Sequence, residues 1–368
     1  MEINYECFGL NPFSTAIAKQ FLTREDIASS MPHVLAWTAE RSDELIYGQR
    51  AKSTLSPPSM WQRGCPEIIP GLSSRPFWLP SSDGCLIPPK IAEFVSLLES
   101  SVDDIRKEVL AVRGKRAFQE YRAPEYEVQS QLQSSQAQVD KDKVDKDITE
   151  TLGKIGTDRG DWSVIYLDLH NANDVAGVDA SRVLFPKTCE ILSKAPRPYG
   201  HSLFSALSPG THIPSHTGAS NKKIRIHLPL IVPRLKNDSE ISSSISPHCR
   251  LRVGSQCEQW LEGKCLIFDD SYQHEAWHDS VDESGGIARV VLIIDIWHPD
   301  LTDIEIKFLT FIRSSQMRQA KALSNLNLIP KQADFFAVIG QSRDERSNDS
   351  KVFGDDNDNF KKVLVIDD

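Results

Sequence analysis

The sequence predicts a mainly β chain, a sandwich or jelly roll with flanking helices. Three observations carry this. Residues 201–299 break into short apolar stretches separated by Gly254, Gly263 and the Gly285–Gly286 pair, the spacing of an antiparallel β structure. The two longest stretches alternate faces at period two. Three- and four-residue periodicity is confined to the flanks, at 88–112 and 303–324.

Taken in order, residues 1–64 read as an irregular N-terminal extension with a short helix possible at 12–30. Residues 65–90, including SRPFWLPSSDG, read as an ordered loop, because Phe77 and Trp78 need burial. Over 88–112, Pro88 and Pro89 suit a helix start. Ile91, Phe94, Val95, Leu98, Val102, Ile105 and Val109 then form one apolar stripe. The stretch 127–158 is Gln/Ser-rich and then alternately charged, and predicts a linker or lid. GDWSVIYLDLH (160–170) reads as a strand. Further strands are expected at RIHLPLIVP (225–233), CRLRVG (249–254), CLIFDDS (265–271) and ARVVLIIDIWHP (288–299). RLKNDSEISSSISP (234–247) and residues 280–288 read as insertions. The core domain is expected at 65–300, a helical extension at 301–340 and a disordered tail at 341–368.

Composition narrows the function classes. The 368 residues are 40% hydrophobic and 25% charged, ordinary for a soluble globular chain. A net charge of −9 argues against nucleic acid as a partner, since phosphate binding needs a basic face. No run of 18 apolar residues predicts a membrane span, and the N-terminus lacks a secretory signal. Seven cysteines, at 7, 65, 85, 189, 249, 257 and 265, form no C-x-x-C pair; reduced thiols and a cytoplasmic location are expected.

Seven of the ten histidines fall between 201 and 278. His216 in PSHTG and His274 in SYQHEAW stand in strand-edge contexts, 58 residues apart. Ligands so separated suit a jelly roll, where opposite ends of the strand set meet, rather than a zinc finger. Non-haem iron is usually held by two His and one carboxylate, with the acid two residues after the first His. Here that position is Gly218. Spacing alone therefore favours reading His216 and His274 as strand-edge histidines bonded to backbone over reading them as metal ligands. On IRIHLPLIV, Ile224, Ile226, Leu228 and Leu230 share one face, and Lys223, Arg225 and His227 the other. That second face either lines a polar cavity or meets solvent. On the last strand, Val290, Leu292, Ile294 and Ile296 oppose Arg289, Val291, Ile293, Asp295 and Trp297. Arg289, at the edge of so apolar a run, either reaches solvent or grips an anion, for which guanidinium is best shaped.

The stretches HTG-x-x-N-x-x-I-R-I-H-L-P-L (216–230), LRVG, W-x-E-G-K-C-L-I-F-D-D-S-x-x-H-E-x-W (260–277) and R-V-V-L-I-I-D-I-W-H-P (289–299) together resemble the aspartyl/asparaginyl β-hydroxylase family. GLSSRPFWLP, IRKEVLAV, GDWS (160–163), PKTC (186–189) and SPGTHIPSHTG (208–218) extend the resemblance over about 71–300, with a gap at the polar linker. It implies a double-stranded β-helix (jelly roll) and an Fe(II)- and 2-oxoglutarate-dependent dioxygenase. Such an enzyme uses O2, with ascorbate as a possible reductant, to hydroxylate a β-carbon. It implies His216 and His274 as the iron ligands, with glycine replacing the acid. Ser205 and Arg289 would grip the distal carboxylate of 2-oxoglutarate, His227 its carboxylate beside the metal, and Trp162 would border the pocket. Arg225 would bind a substrate carboxylate, and Asp270 would hold a water beside the metal. Long animal members carry a membrane anchor and helical repeats before this domain; neither is expected here. The substrate is left between an aspartyl or asparaginyl residue of a polypeptide and a small amino-acid-derived molecule. Two alternatives remain: a non-catalytic binding module, and a cupin-like metal protein whose third histidine is His212 or His227.

Overall fold

Two antiparallel sheets pack face to face, and the last long strand, apolar at nearly every position, buries side chains on both of its faces. The computed structural model describes residues 3–47, 59–78, 87–112, 117–121, 157–169, 178–233, 248–279 and 286–326. The strands are β1 (Gln119–Glu120), β2 (Trp162–Leu169), β3 (Pro198–Leu207), β4 (Thr211–His216), β5 (Lys223–Ile231), β6 (Cys249–Val253), β7 (Gln256–Gln259), β8 (Leu266–Phe268), β9 (His274–His278) and β10 (Arg289–Trp297). The larger sheet runs β1-β2-β3-β10-β5-β8 and the smaller runs β4-β9-β6-β7. From β3 to β10 the chain passes back and forth between the two sheets. That alternation is the winding of a double-stranded β-helix, the jelly roll expected from the strand spacing.

All nine residues of β10 are buried. Val290, Leu292, Ile294 and Ile296 join Ile224, Ile226, Leu228 and Leu230 in a core covered by helices α4 (Pro89–Ser100) and α5 (Val102–Ala111). Each such side chain stabilises the fold by about 1.5–3 kcal/mol on burial. Val291 and Ile293 point the other way, into the space between the sheets, against Leu203, Leu251 and Phe268. Period two thus assigned the faces of both strands correctly. The single helix expected over 88–112 is instead two. At Ser101 the backbone turns to φ −102° and ψ 6°, closing α4 on Leu97 and Leu98 and opening α5. The Ser100–Ser101 pair permits the break, because serine is only a moderate helix former.

The N-terminal segment is more regular than expected. It forms α1 (Pro12–Thr23), α2 (Glu25–Ala28) and α3 (Pro32–Tyr47). Helix α3 has a thin apolar stripe, with Thr38 and Ser42 among its buried positions, so periodicity understates it. It is held by packing: Phe8, Trp37 and Met31 share a core with Phe308, Leu309 and Ile312 of the last helix, α8 (Asp303–Asn325). Short helices α6 (Val178–Leu184) and α7 (Pro186–Leu192) follow β2. Among the described residues, no helix is long and apolar enough to cross a membrane. The insertion 234–247, the tail 341–368 and most of 127–158 lie outside the described residues.

Candidate functional site

His216 and His274 come together on neighbouring strands. They are direct cross-strand partners of β4 and β9, with ring centroids 4.2 Å apart. Each ring is oriented by its own backbone. Nδ1 of His216 lies 2.8 Å from the carbonyl of Pro214, and Nδ1 of His274 lies 2.8 Å from that of Tyr272. A carbonyl only accepts, so both Nδ1 atoms carry the hydrogen and both lone pairs sit on Nε2. Burial, reinforced by His216, holds the His274 imidazole well below its ordinary pKa, hence neutral. Two imidazoles packed side by side, each with Nδ1–H turned to a backbone carbonyl, are a donor pair suited to hold Fe(II) through Nε2.

Gly218 stands where an acid ligand would be, and nothing larger fits. A Cβ built there would lie 2.6 Å from Cγ of Asp270. Asp270 belongs to a buried charge quartet. Its Oδ2 pairs with Lys223 and, at 3.3 Å, with Arg225. Arg225 also grips Asp295 through Nε at 2.8 Å and Nη2 at 3.0 Å, Lys223 reaches Asp295 at 3.0 Å, and His201 adds a contact at 2.9 Å. Burial raises the Asp295 pKa, but Arg225 and Lys223 outweigh it and hold the carboxyl well below the usual range. Two carboxylates against two cations leave the quartet balanced. Arg225 is therefore already committed to Asp295 and Asp270, unlike the open carboxylate grip expected of it. Oδ1 of Asp270 is buried with no partner. A buried lone pair of this kind calls for a water or a ligand hydrogen.

Arg289 is the opposite case, a charge without a counter-ion. It is 2% exposed, and among the described residues no carboxylate pairs with it. Its Nε has no partner, its Nη2 lies 3.5 Å from Oγ of Ser205, and its guanidinium sits 4.4 Å from the ring of Trp260. Burial pulls its pKa down to about 10. Ser205 also accepts from Trp162 Nε1 at 2.9 Å, and Trp162 stacks on Tyr121 at 3.6 Å. An isolated buried cation is costly unless an anion meets it.

His227 has the reverse tautomer of the other two histidines. The indole of Trp260 donates to its Nδ1 at 3.2 Å. An indole N–H cannot accept, so Nδ1 of His227 holds the lone pair and Nε2 the hydrogen. That Nε2 is buried and without a partner. Burial first, then Arg225 and Arg289, keep the ring neutral. His227 is thus a hydrogen-bond donor, unsuited to bind a metal through Nε2. Nor is His212 placed beside His216: it stacks on Trp277 at 5.3 Å and pairs with Asp158, on the face of β9 that carries Glu275. Among the described residues no cluster of three or more His, Cys, Asp or Glu could hold a metal ion. The third-histidine alternative therefore finds no support.

The structure brings the expected residues into three groups: His216 with His274, Arg289 with Ser205 and Trp162, and Asp270 with Arg225. Sequence reasoning gave no role to Trp260, which joins His227 to Arg289, or to Lys223 and Asp295, which tie Asp270 to Arg225. Asp295 did carry a signal, as the lone acid in a nine-residue apolar strand on the face of Arg289.

A sequence profile of the aspartyl/asparaginyl beta-hydroxylases matches residues 99–299. The human aspartyl/asparaginyl beta-hydroxylase is 32% identical over 251 residues, covering 66% of this chain and 25% of the human protein. The human aspartate beta-hydroxylase domain-containing protein 2 is 35% identical over 161 residues, covering 42% of this chain and 38% of that protein. The chain thus spans about a quarter of the length of the first relative. A solved oxidoreductase of the 2OG-Fe(II) oxygenase family from Burkholderia pseudomallei overlaps 38% of this chain and 70% of that one, at 10% identity and a TM-score of 0.27, too loosely to carry weight. The profile covers more than half of the sequence and contains every residue of the three groups above. On that match, the chain belongs to the aspartyl/asparaginyl beta-hydroxylase family.

Proposed function

We propose that the chain is an Fe(II)- and 2-oxoglutarate-dependent dioxygenase that hydroxylates the β-carbon of an aspartyl or asparaginyl residue, or of a related amino-acid-derived small molecule. The observation that carries this is the buried, uncompensated Arg289 in the same fold as a two-histidine donor pair. A dianionic keto acid supplies what both lack: one carboxylate for the cation, and a second carboxylate with its keto oxygen for the metal. Bound Fe(II) and 2-oxoglutarate would supply oxidation of an unactivated C–H bond by O2, with decarboxylation to succinate.

The chain's residues bind and orient. His216 and His274 present Nε2 lone pairs fixed by Pro214 and Tyr272. Arg289 and Ser205 receive the distal carboxylate, the guanidinium gaining a charge-assisted pair. Trp162 holds the Ser205 hydroxyl from the other side. His227 donates its Nε2 hydrogen to the carboxylate nearer the metal. Asp270 offers Oδ1 to a water beside Gly218. Arg225, half-buried at the edge of the quartet, is the contact for a substrate carboxylate, which would have to compete with Asp295. Such positioning, together with exclusion of water by the inter-sheet core, is the protein's part in the reaction.

Purified protein given Fe(II), ascorbate and 2-oxoglutarate should form succinate slowly even without substrate. His216→Ala and His274→Ala should each abolish it; full activity in both would remove the two-histidine site. Arg289→Met should raise the 2-oxoglutarate requirement by about 10–100-fold, the worth of a charge-assisted hydrogen bond. An unchanged requirement takes Arg289 out of the role.

A further inference from the structure

A cavity opens beside Ala219 and Ser220, the residues that follow Gly218. It has a volume of about 120 Å³ and is walled by Ser220 and Lys222, by Trp37 and Arg41 of α3, and by Arg313 of α8 beside Tyr199. Its cations are poorly matched. Among the described residues Glu67 is the one acidic side chain on its wall, and it is shared by Lys222 and, at 3.6 Å, by Arg41. Arg313 donates Nη1 to the Tyr199 carbonyl at 2.9 Å, and no carboxylate among the described residues pairs with it. The wall therefore carries an excess of two positive charges.

Aromatic rings hold these cations where carboxylates do not. Arg41 and Lys222 lie 5.3 and 5.7 Å from the Trp37 ring, and Arg313 lies 4.5 Å from the Tyr199 ring. Such contacts keep a cation in place without neutralising it. Two polar atoms are also left over. Oγ of Ser220, on a residue 1% exposed, and Nε of Arg313 are both buried without a partner. Water could meet the hydroxyl and the N–H but would leave the charge. An anion answers both.

We propose that this cavity is a second binding site, for a small carboxylate with a short apolar body. The volume holds roughly four waters' worth of matter at ~30 Å³ each. A planar carboxylate matches guanidinium geometry. Phe8, Leu309 and Ile312 complete the wall, and they suit a methyl or methylene tail but not the remaining oxygens of a phosphate. Phe8, Trp37, Arg41 and Arg313 lie outside the matched region 99–299 and Tyr199, Ser220 and Lys222 inside it, so the site forms where the flanks of this chain meet that region. It is independent of the proposed reaction.

The test is titration of the full-length, 15N-labelled protein with sodium propionate at constant ionic strength, read at the tryptophan indole N–H signals. The Trp37 signal, assigned with Trp37→Phe, should shift and saturate. Arg313→Gln and Arg41→Gln should each weaken that response by about tenfold, as expected for one lost charge-assisted contact. The Trp260 signal, which reports on the Arg289 site, should respond as in the parent and shows that each variant is folded. A Trp37 signal that does not move, or one whose response neither substitution weakens, overturns the proposal. Inorganic phosphate acting at lower concentration than propionate would overturn the carboxylate assignment.

Discussion

Trp260 shows how one side chain sets the chemistry of two others. Its N–H fixes His227 as a donor, and its ring lies against Arg289. Trp260→Phe keeps the ring and removes the N–H. Nδ1 of His227 then loses its donor and the ring is free to change tautomer. The 2-oxoglutarate requirement should rise by about tenfold, the worth of one hydrogen bond to a charged group. Nitrogen NMR of the metal-free protein should show His227 protonated at Nε2 in the parent and mixed in the variant, with His216 and His274 unchanged. A parent His227 protonated at Nδ1 would refute the assignment. Gly218 is constrained in a different way, by space rather than by backbone angle. Gly218→Ala sets a methyl group 2.6 Å from the Asp270 carboxyl carbon, which the Lys223 and Arg225 contacts hold still. Denaturant unfolding should show a loss of about 1–3 kcal/mol, typical of overpacking. Stability equal to the parent would mean that the quartet moves aside. The sequence offered His216, His274 and Arg289 as candidates but left each with a structural reading. What decides between the readings is a set of contacts between residues far apart in the chain, such as Trp260 with His227, and no local pattern reports those.

At the scale of elements, the N- and C-terminal helices lock together through one acid. Glu305 is fully buried near the start of α8. Its Oε1 accepts from the backbone N–H groups of His33 and Val34, the first turn of α3, at 2.7 and 3.0 Å. Its Oε2 accepts from Thr302 N–H, and Thr302 Oγ1 accepts from Glu305 N–H, closing a reciprocal cap on α8. One carboxylate thus serves the N-terminal ends of two helices, where backbone donors are unpaired and the dipole favours negative charge. Glu305→Ala should cost about 3 kcal/mol or more, since hydrogen bonds to a charged group contribute roughly 1.5–3 kcal/mol each. Hydrogen exchange should show the loss concentrated in α3 and α8; a loss spread evenly over the sheets would contradict this coupling. The same contacts explain why α3 was illegible. Its own stripe is thin, and its first turn is stabilised by a residue 272 positions away. The strands β5 and β10 were legible because burial on both faces writes a dense apolar run into the sequence. Strands β4 and β9 were not, because their short sequences, THIPSH and HEAWH, hold histidines and other polar residues and no dense apolar run.

Across the whole molecule, the buried histidines set how stability responds to acid. His278 and His298 are fully buried, and burial pushes both pKa values down to about 4. His298 spends both ring nitrogens on backbone, Nε2 towards Ser73 O at 2.9 Å and Nδ1 accepting from Asp300 N–H at 3.2 Å, so it ties the end of β10 to the segment around Ser73, ahead of α4. A second proton there breaks the contact with Asp300. In the unfolded chain both rings would take up a proton near pH 6.5. Between pH 6.5 and 4 the unfolded state therefore binds more protons than the folded one, and stability falls as pH falls through that window. Above pH 6.5 neither ring contributes a slope. His212 works in the other direction: its two carboxylate neighbours raise its pKa, so it adds stability below its folded value and loses it as pH rises. Asp295 and Asp300, held below the usual carboxylate range, add their own losses only at more acid pH. Urea unfolding at pH 7, 5.5 and 4.5 should show the midpoint falling at each step, the unfolding free energy dropping by up to about 1.4 kcal/mol per pH unit for each ring. His298→Gln removes one of the two rings and should flatten the curve over that range even if it lowers stability at pH 7. A parent midpoint constant from pH 6.5 to 4.5, or a slope untouched by His298→Gln, would show that these rings are not the acid-sensitive groups.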